Sequence, residues 1–147
     1  MRQPSSRKTI GIIDGQGGGI GSTIIKKIKA SFGESVEIIA LGTNAIATAQ
    51  MLKAGANRGA SGENAIVRTV ARVDVVVGTL GVMLAHAMMG EVTPKMADAV
   101  SGCAATKLIL PISQENVDLI GVSDDPLPHM VETLVLDHLK PLLRSHP

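Results

Sequence analysis

The stretch richest in chemistry is "GIIDGQGGGIGST", residues 11–23, which sets five glycines among the seven residues from Gly15 to Gly21. Ordering a glycine costs more backbone entropy than ordering any other residue, so such a run needs a reason. A tight turn needs one or two of them; close approach of a ligand to the backbone would use the rest. The loop follows a short apolar run, "TIGIID" (9–14), that suits a buried strand. It opens an amphipathic run, "STIIKKIKASF" (22–32), with Ile24, Ile28 and Phe32 on one stripe and Gly33 as a natural stop. In that context free N–H groups at a helix N-terminus, aided by the helix dipole, hold a phosphate or pyrophosphate. Asp14, Gly15, Gln16, Gly17, Gly18, Gly19, Ile20 and Gly21 are therefore the first candidate binding residues.

Two further turns have the right residue types. The second apolar run, "VEIIAL" (36–41), ends in Gly42, Thr43 and Asn44. Thr43 and Asn44 either bond a ribose or phosphate or cap the next helix. The third, "VDVVVG" (73–78), leads into Gly78, Thr79 and Gly81, which stand next to the glycine loop if this strand lies beside the first. In "GASGENA" (59–65), Glu63 and Asn64 open a helix, or fold over the crevice and meet a ligand. His86 reads as a satisfied histidine in an apolar helix, with acid/base work or metal ligation as the alternative. His86, Glu91 and Cys103 have no metal-site spacing, and nothing around Cys103 marks a nucleophile. His129, His138 and His146 read as surface residues of the last helix or beyond it.

The elements that must position these residues alternate. Helices are expected over 44–56, capped by Asn44; over 61–73, capped by Ser61; over 81–90, apolar nearly all round; over 93–102, with Thr93 as cap and Pro94 at the first position; and over 124–143, capped by Asp125. "TKLILPI" (106–112) and "VDLIGV" (117–122) read as the fourth and fifth strands. Only "SQEN" separates them, too short for a parallel crossover, so the last strand is expected antiparallel. This pattern predicts an α/β fold: a Rossmann-like three-layer sandwich with a mainly parallel five-stranded sheet and an antiparallel edge strand. A break in strand order beside the first strand would open a crevice at the carboxyl ends of the strands. Residues 1–8 read as a loose N-terminal arm and 9–147 as one domain.

Bulk properties exclude several classes. The chain has 147 residues, 45% hydrophobic and 18% charged, with a formal net charge of +1. No basic footprint for nucleic acid or an anionic membrane is present. Phe32 is the sole aromatic residue, which leaves no stacking platform for bases. The most apolar stretch, 75–90, falls short of the roughly 20 residues of a membrane span and is broken by "GTLG". A single cysteine fits a reducing compartment, the cytoplasm. A helix apolar all round, as expected over 81–90, must be covered on every side, and a homodimer through it would supply part of the cover.

"DGQGGGIG" resembles the first motif of the short-chain dehydrogenase/reductase family, Thr-Gly-x-x-x-Gly-Ile-Gly. Gly15, Gly19, Ile20 and Gly21 fall on its fixed positions and Asp14 replaces the threonine. The resemblance implies glycines facing the pyrophosphate of NAD or NADP. It ends after about a dozen residues: the family's Tyr-x-x-x-Lys is impossible in a chain without tyrosine, and no acidic residue closes the second strand. "GGGIGST" is also similar to the loop of deviant Walker ATPases, with Gly17 and Ser22 where its lysines stand and Thr23 at the magnesium-binding hydroxyl. Without the lysine that reaches the β- and γ-phosphates, an ATP- or GTP-binding P-loop is the alternative rather than the first reading. From "IIDGQGGGIG" through "ALGTNAIAT", "GASGENAIV", "GEVTPKMADAV" and "LILPI", roughly residues 9–122, the chain resembles a family of small bacterial proteins known as a domain of unknown function. That resemblance implies a bacterial cytoplasmic protein and no particular chemistry.

The expected function is binding of a small nucleotide, NAD or NADP first, by the Gly15–Gly21 loop. Two classes remain open: a binding or regulatory module, and a small oxidoreductase whose substrate groups come from a partner copy or from 59–65.

Overall fold

The computed structural model describes residues 7–112 and 116–144. Five strands, β1 (Lys8–Asp14), β2 (Val36–Gly42), β3 (Arg58–Ser61), β4 (Val75–Thr79) and β5 (Thr106–Leu110), form one sheet in the order β3-β2-β1-β4-β5. Every pairing is parallel. The helices are α1 (Gly19–Phe32), α2 (Ala45–Lys53), α3 (Glu63–Val70) and α4 (Pro94–Gly102). The C-terminal helix comprises α5 (Leu127–Thr133), a π-helical stretch (Leu134–Leu139) and α6 (Lys140–Arg144).

Alternation along the strands builds two cores. Ile10 and Ile12 of β1 and Ile38 of β2 face Ile24, Ile25 and Ile28 of α1, Met51 of α2, and Val131, Val135 and Leu139 of the C-terminal helix. Ile13 of β1, Ile39 and Leu41 of β2 and Val76 of β4 pack on the opposite face against Ile66 and Val70 of α3 and Met96 and Val100 of α4. Strands covered on both faces read as nearly continuous apolar runs, and those of β1, β2 and β4 do. The architecture is the expected three-layer, doubly wound sandwich. Chain order reverses between β1 and β4, so the crevice lies at the carboxyl ends of these strands.

Several local signals act as expected. The Asn44 side chain accepts from Ala47 N, and that of Thr93 from Met96 N ahead of Pro94. Gly33 ends α1 at φ 57°.

Other expectations are corrected. The antiparallel edge strand over 117–122 is not formed. Val117 makes an isolated bridge, the chain turns at Ile120–Gly121, and Gly121 has φ 85°. Ile120 is 91% exposed there, so the apolar pattern of this run buries little. The fifth strand is instead β3, whose "RGAS" has no apolar alternation and is recruited by pairing with β2. β3 also takes Ser61 out of the α3 cap: Gly62 holds that place, and Ser61 Oγ lies 2.7 Å from Thr48 Oγ1 in a hydrogen bond. The helix over 81–90 does not form either. A 3₁₀ turn covers Leu80–Met83, and linked turns follow, with positive φ at His86, Met88, Met89 and Gly90. The apolar helix that a homodimer would have covered is therefore missing. The C-terminal helix begins at Leu127 without a side-chain cap, while Asp125 pairs with His129 Nδ1 at 3.6 Å. β1 starts at Lys8, one residue inside the expected arm; residues 1–6 of that arm, 113–115 of "SQEN", and His146 lie outside the described residues.

Candidate functional site

The glycine loop leaves the carboxyl end of β1 and enters α1. Asp14, 7% exposed, organises it. Its Oδ1 accepts from Gly15 N at 2.8 Å and its Oδ2 from Gly21 N at 2.7 Å. The carboxylate thus caps α1 from below and curls the loop around itself. Burial pushes the Asp14 carboxyl above its ordinary pKa, the N–H donors of Gly21, Gly15 and Ile20 pull it down, and the nearby Glu91 charge adds to the rise.

The five glycines divide by what surrounds them. A Cβ on Gly15 would stand 2.5 Å from Thr43 Oγ1, 2.6 Å from Met88 Sδ and 2.8 Å from Glu91 Oε1. One on Gly21 would stand 2.5 Å from Met51 Sδ and 3.1 Å from Asp14 Cβ. Gly18 has φ 74° and lies against the Ala47 backbone. Torsion and backbone contact demand Gly18, while Gly15 and Gly21 leave room for a side chain only if the ends of neighbouring side chains shift. Gly17 and Gly19 differ. Both are exposed, neither has positive φ, and a Cβ on either would meet nothing within 4 Å. Their N–H groups donate to no partner among the described residues. Two glycines that the fold does not require therefore sit at the start of a 14-residue helix, beside the reversal in strand order.

The β2–α2 turn stands next to the loop: Thr43 N donates to Asp14 O at 2.9 Å. Between the two turns lies a carboxylate from far along the chain. Glu91 Oε1 accepts from Gln16 N at 3.0 Å, Thr43 Oγ1 at 2.6 Å and Asn44 Nδ2 at 3.1 Å. Glu91 Oε2 accepts from Asn44 Nδ2 at 3.2 Å. The Gln16 N–H, helped by the Thr43 and Asn44 side chains, holds the Glu91 carboxyl below its ordinary pKa, so it is ionised at neutral pH. Asn44 Nδ2 also donates to Gln16 O at 3.1 Å and closes the network.

The chain matches the family described as "Domain of unknown function (DUF3842)" over residues 9–143. The chain belongs to this family. No curated protein matches it. Among solved structures, one described as "Crystal structure of universal stress protein in complex with cAMP" is 17% identical, with a TM-score of 0.41. That likeness covers 71% of this chain and 98% of the other.

Within this member of the family, the residues singled out from sequence separate into groups. Asp14 through Gly21, with Gly42, Thr43 and Asn44, come together at the ends of β1 and β2; Gln16, Gly17 and Gly19 are exposed, Ile20, Thr43 and Asn44 half-buried, and Asp14, Gly15, Gly18, Gly21 and Gly42 buried. Gly78, Thr79 and Gly81 lie at the end of β4, beside β1, but all three are buried. A Cβ on Gly78 would stand 3.0 Å from Val82 and 3.2 Å from Ile13 O, so this glycine serves packing. The Thr79 hydroxyl makes no hydrogen bond among the described residues. Glu63 leaves the crevice: it accepts from Thr93 Oγ1 at 2.6 Å and ties α3 to α4. Asn64 is exposed on α3. His86, expected in a helix interior, is exposed in the 84–92 turns, lining an open cleft with Gln16, Leu84, Met88, Asn116 and Val117. Cys103 donates from Sγ to Val100 O at 3.2 Å. Among the described residues no three His, Cys, Asp or Glu side chains stand close enough to hold a metal ion, and no helix is long and apolar enough to cross a membrane.

The residue that sequence reasoning missed is Glu91. Its signal was faint: the lone acid at the end of the apolar run "VGTLGVMLAHAMMGEV" (77–92).

Proposed function

We propose that this protein binds a nucleotide through its phosphate groups at the Gly15–Gly21 loop, and that the nucleotide is an NAD(P)-type dinucleotide. The observation that carries this is the pair Gly17 and Gly19, exposed glycines that no contact or torsion of the fold requires and whose N–H groups have no partner among the described residues. Free N–H groups at the positive end of a helix favour a negatively charged group. A ligand there would reach Thr43 and Asn44 at the end of β2, while Gly42, Gly78, Thr79 and Gly81 are buried at the strand ends. A P-loop is less well supported, because Thr23 Oγ1 donates back to Gly19 O at 3.0 Å and Ser22 Oγ to Gly18 O at 2.7 Å.

A binding or regulatory module fits the site better than an oxidoreductase. Both carboxylates beside the loop are engaged by backbone and side-chain donors, and among the described residues no nucleophile–base pair stands with them. Thermal unfolding against NAD, NADP, their reduced forms, ADP, magnesium-ATP and phosphate tests the reading. A ligand at 100 times its Kd adds about 2.7 kcal/mol. At about 2–4 °C per kcal/mol for a chain of this length, Tm rises by about 5–11 °C. A shift with NAD(H) or NADP(H) is the expected result. A shift with magnesium-ATP alone would replace the dinucleotide by the P-loop reading, and no shift with any of them would refute nucleotide binding. Steady turnover of NAD(P)H would refute the module.

A further inference from the structure

Among the described residues, every side-chain hydrogen bond between the 84–92 segment and the rest of the protein is made by Glu91. The segment otherwise bonds largely to itself: His86 N to Val92 O at 2.6 Å, Val92 N to Ala87 O at 3.1 Å, Gly90 N to His86 O at 3.1 Å. Three of its non-glycine residues hold positive φ: His86 at 74°, Met88 and Met89 at 57°. Side chains rarely adopt such conformations, which persist only where the surroundings hold them. The segment lies on the near half of the glycine loop, where Met88 and Glu91 occupy the space that a side chain at Gly15 would fill. The far half, Gly17 and Gly19, stays open.

The donors around Glu91 resemble what a phosphate oxygen needs. One is a backbone N–H of the glycine loop; the others are a hydroxyl and an amide from the neighbouring turn, and all three converge on one oxygen. Among the described residues no lysine or arginine joins the network, so a ligand phosphate arriving here would meet the charge of Glu91 with no cation beside it. A carboxylate and a phosphate cannot share these donors.

We propose that Gln16 N–H, the Thr43 hydroxyl and the Asn44 amide form an oxyanion site for a phosphate group of the ligand, and that Glu91 is a latch whose carboxylate fills this site until that phosphate displaces it. The inference rests on the nucleotide reading and gives it a regulation: the Glu91 carboxylate must leave its donors as the phosphate docks, while Val92 beside it stays anchored in the core. A latch closed nine-tenths of the time weakens apparent affinity about tenfold.

Calorimetric titration with ADP and with inorganic phosphate tests this on wild type, Glu91→Ala, Glu91→Gln and Glu91→Ala/Thr43→Val. The expected result is about tenfold tighter ADP and phosphate binding by Glu91→Ala. Glu91→Gln, which keeps the size and an acceptor oxygen but not the charge, falls between, and adding Thr43→Val takes back the gain. Should Glu91→Ala fail to fold, Glu91→Gln against wild type is read the same way. If wild type binds ADP and the Glu91 variants bind it equally or more weakly, the latch is refuted while nucleotide binding stands, and Glu91 is an anchor or an acceptor for ligand hydroxyls. If neither wild type nor variants bind either anion, both the latch and the nucleotide reading fall.

Discussion

Replacing Gly18 and Gly19 by alanine, one at a time, separates what the fold needs from what a ligand needs. Gly18 has φ 74°, and a Cβ there would stand 2.8 Å from the Ala47 carbonyl oxygen and 3.0 Å from its Cα. Holding alanine in the left-handed region costs about 1–2 kcal/mol. The overlap is with backbone, which no rotamer change relieves, and overpacking of this kind adds about 1–3 kcal/mol. At about 2–4 °C per kcal/mol, Gly18→Ala should lower Tm by about 4–20 °C. Gly19 is the first residue of α1, has no positive φ, and a Cβ there would meet no atom within 4 Å. Alanine there restricts the unfolded chain without straining the folded one, a gain of about 0.4–1 kcal/mol. Gly19→Ala should therefore raise Tm by about 1–4 °C. Its methyl group stands where a phosphate would approach, so NAD affinity should fall about tenfold, or about 1.4 kcal/mol. Scanning calorimetry with and without NAD, with titration calorimetry beside it, reads both quantities. A Gly19→Ala protein that melts as early as Gly18→Ala would show that the fold uses both glycines. One that melts later yet binds NAD like wild type would show that no ligand approaches this face.

Three other outcomes follow from the same geometry. Asn44→Ala removes the α2 cap and a Glu91 partner, and should cost about 1 kcal/mol in chemical denaturation; a variant as stable as wild type would deny the cap any role. Acid should act on the two site carboxyls in opposite senses. Glu91 has a depressed pKa when folded, so its stabilisation is complete above the ordinary glutamate value of about 4.3 and is lost as pH falls from there through the folded value. Asp14 has a raised pKa, so its contribution is complete below about 3.9 and is lost as pH rises through the folded value. In urea titrations across pH 3–7, Glu91→Gln should lose less stability on acidification than wild type, and an equal or greater loss would contradict the assignment. Finally, Ile120→Lys should change stability by less than about 0.5 kcal/mol, because this side chain is 91% exposed; a loss of about 2 kcal/mol or more would be expected of a buried strand residue instead.

What the sequence disclosed was whatever local chemistry decides. Asn44, and Thr93 followed by Pro94, cap their helices through bonds reaching three residues ahead, so their types alone announce the helix starts. The apolar runs of β1, β2 and β4 are legible because strands covered on both faces need continuous apolar residues. β3 was not, since "RGAS" becomes a strand only through the edge that β2 offers it. The run 81–90 misled because alanine, leucine and methionine favour helix, whereas this segment is shaped by its own turn hydrogen bonds and by Glu91. The candidate site was half legible. The glycine loop stands where its pattern places it, but Glu91 meets Thr43 across 48 residues, and no spacing rule reaches that far. Nor does the pattern tell which glycines serve packing: Gly15, Gly18 and Gly21 do, and Gly17 and Gly19 do not.

The proposed function stands on a nucleotide phosphate docking at the N–H groups of Gly17 and Gly19. The most direct measurement is the amide spectrum of nitrogen-15-labelled protein titrated with NAD and, in parallel, with ADP. The Gly17 and Gly19 resonances should shift most and saturate together, while Gly33, at the far end of α1, stays in place. Saturable binding that leaves Gly17 and Gly19 unmoved would contradict the claim.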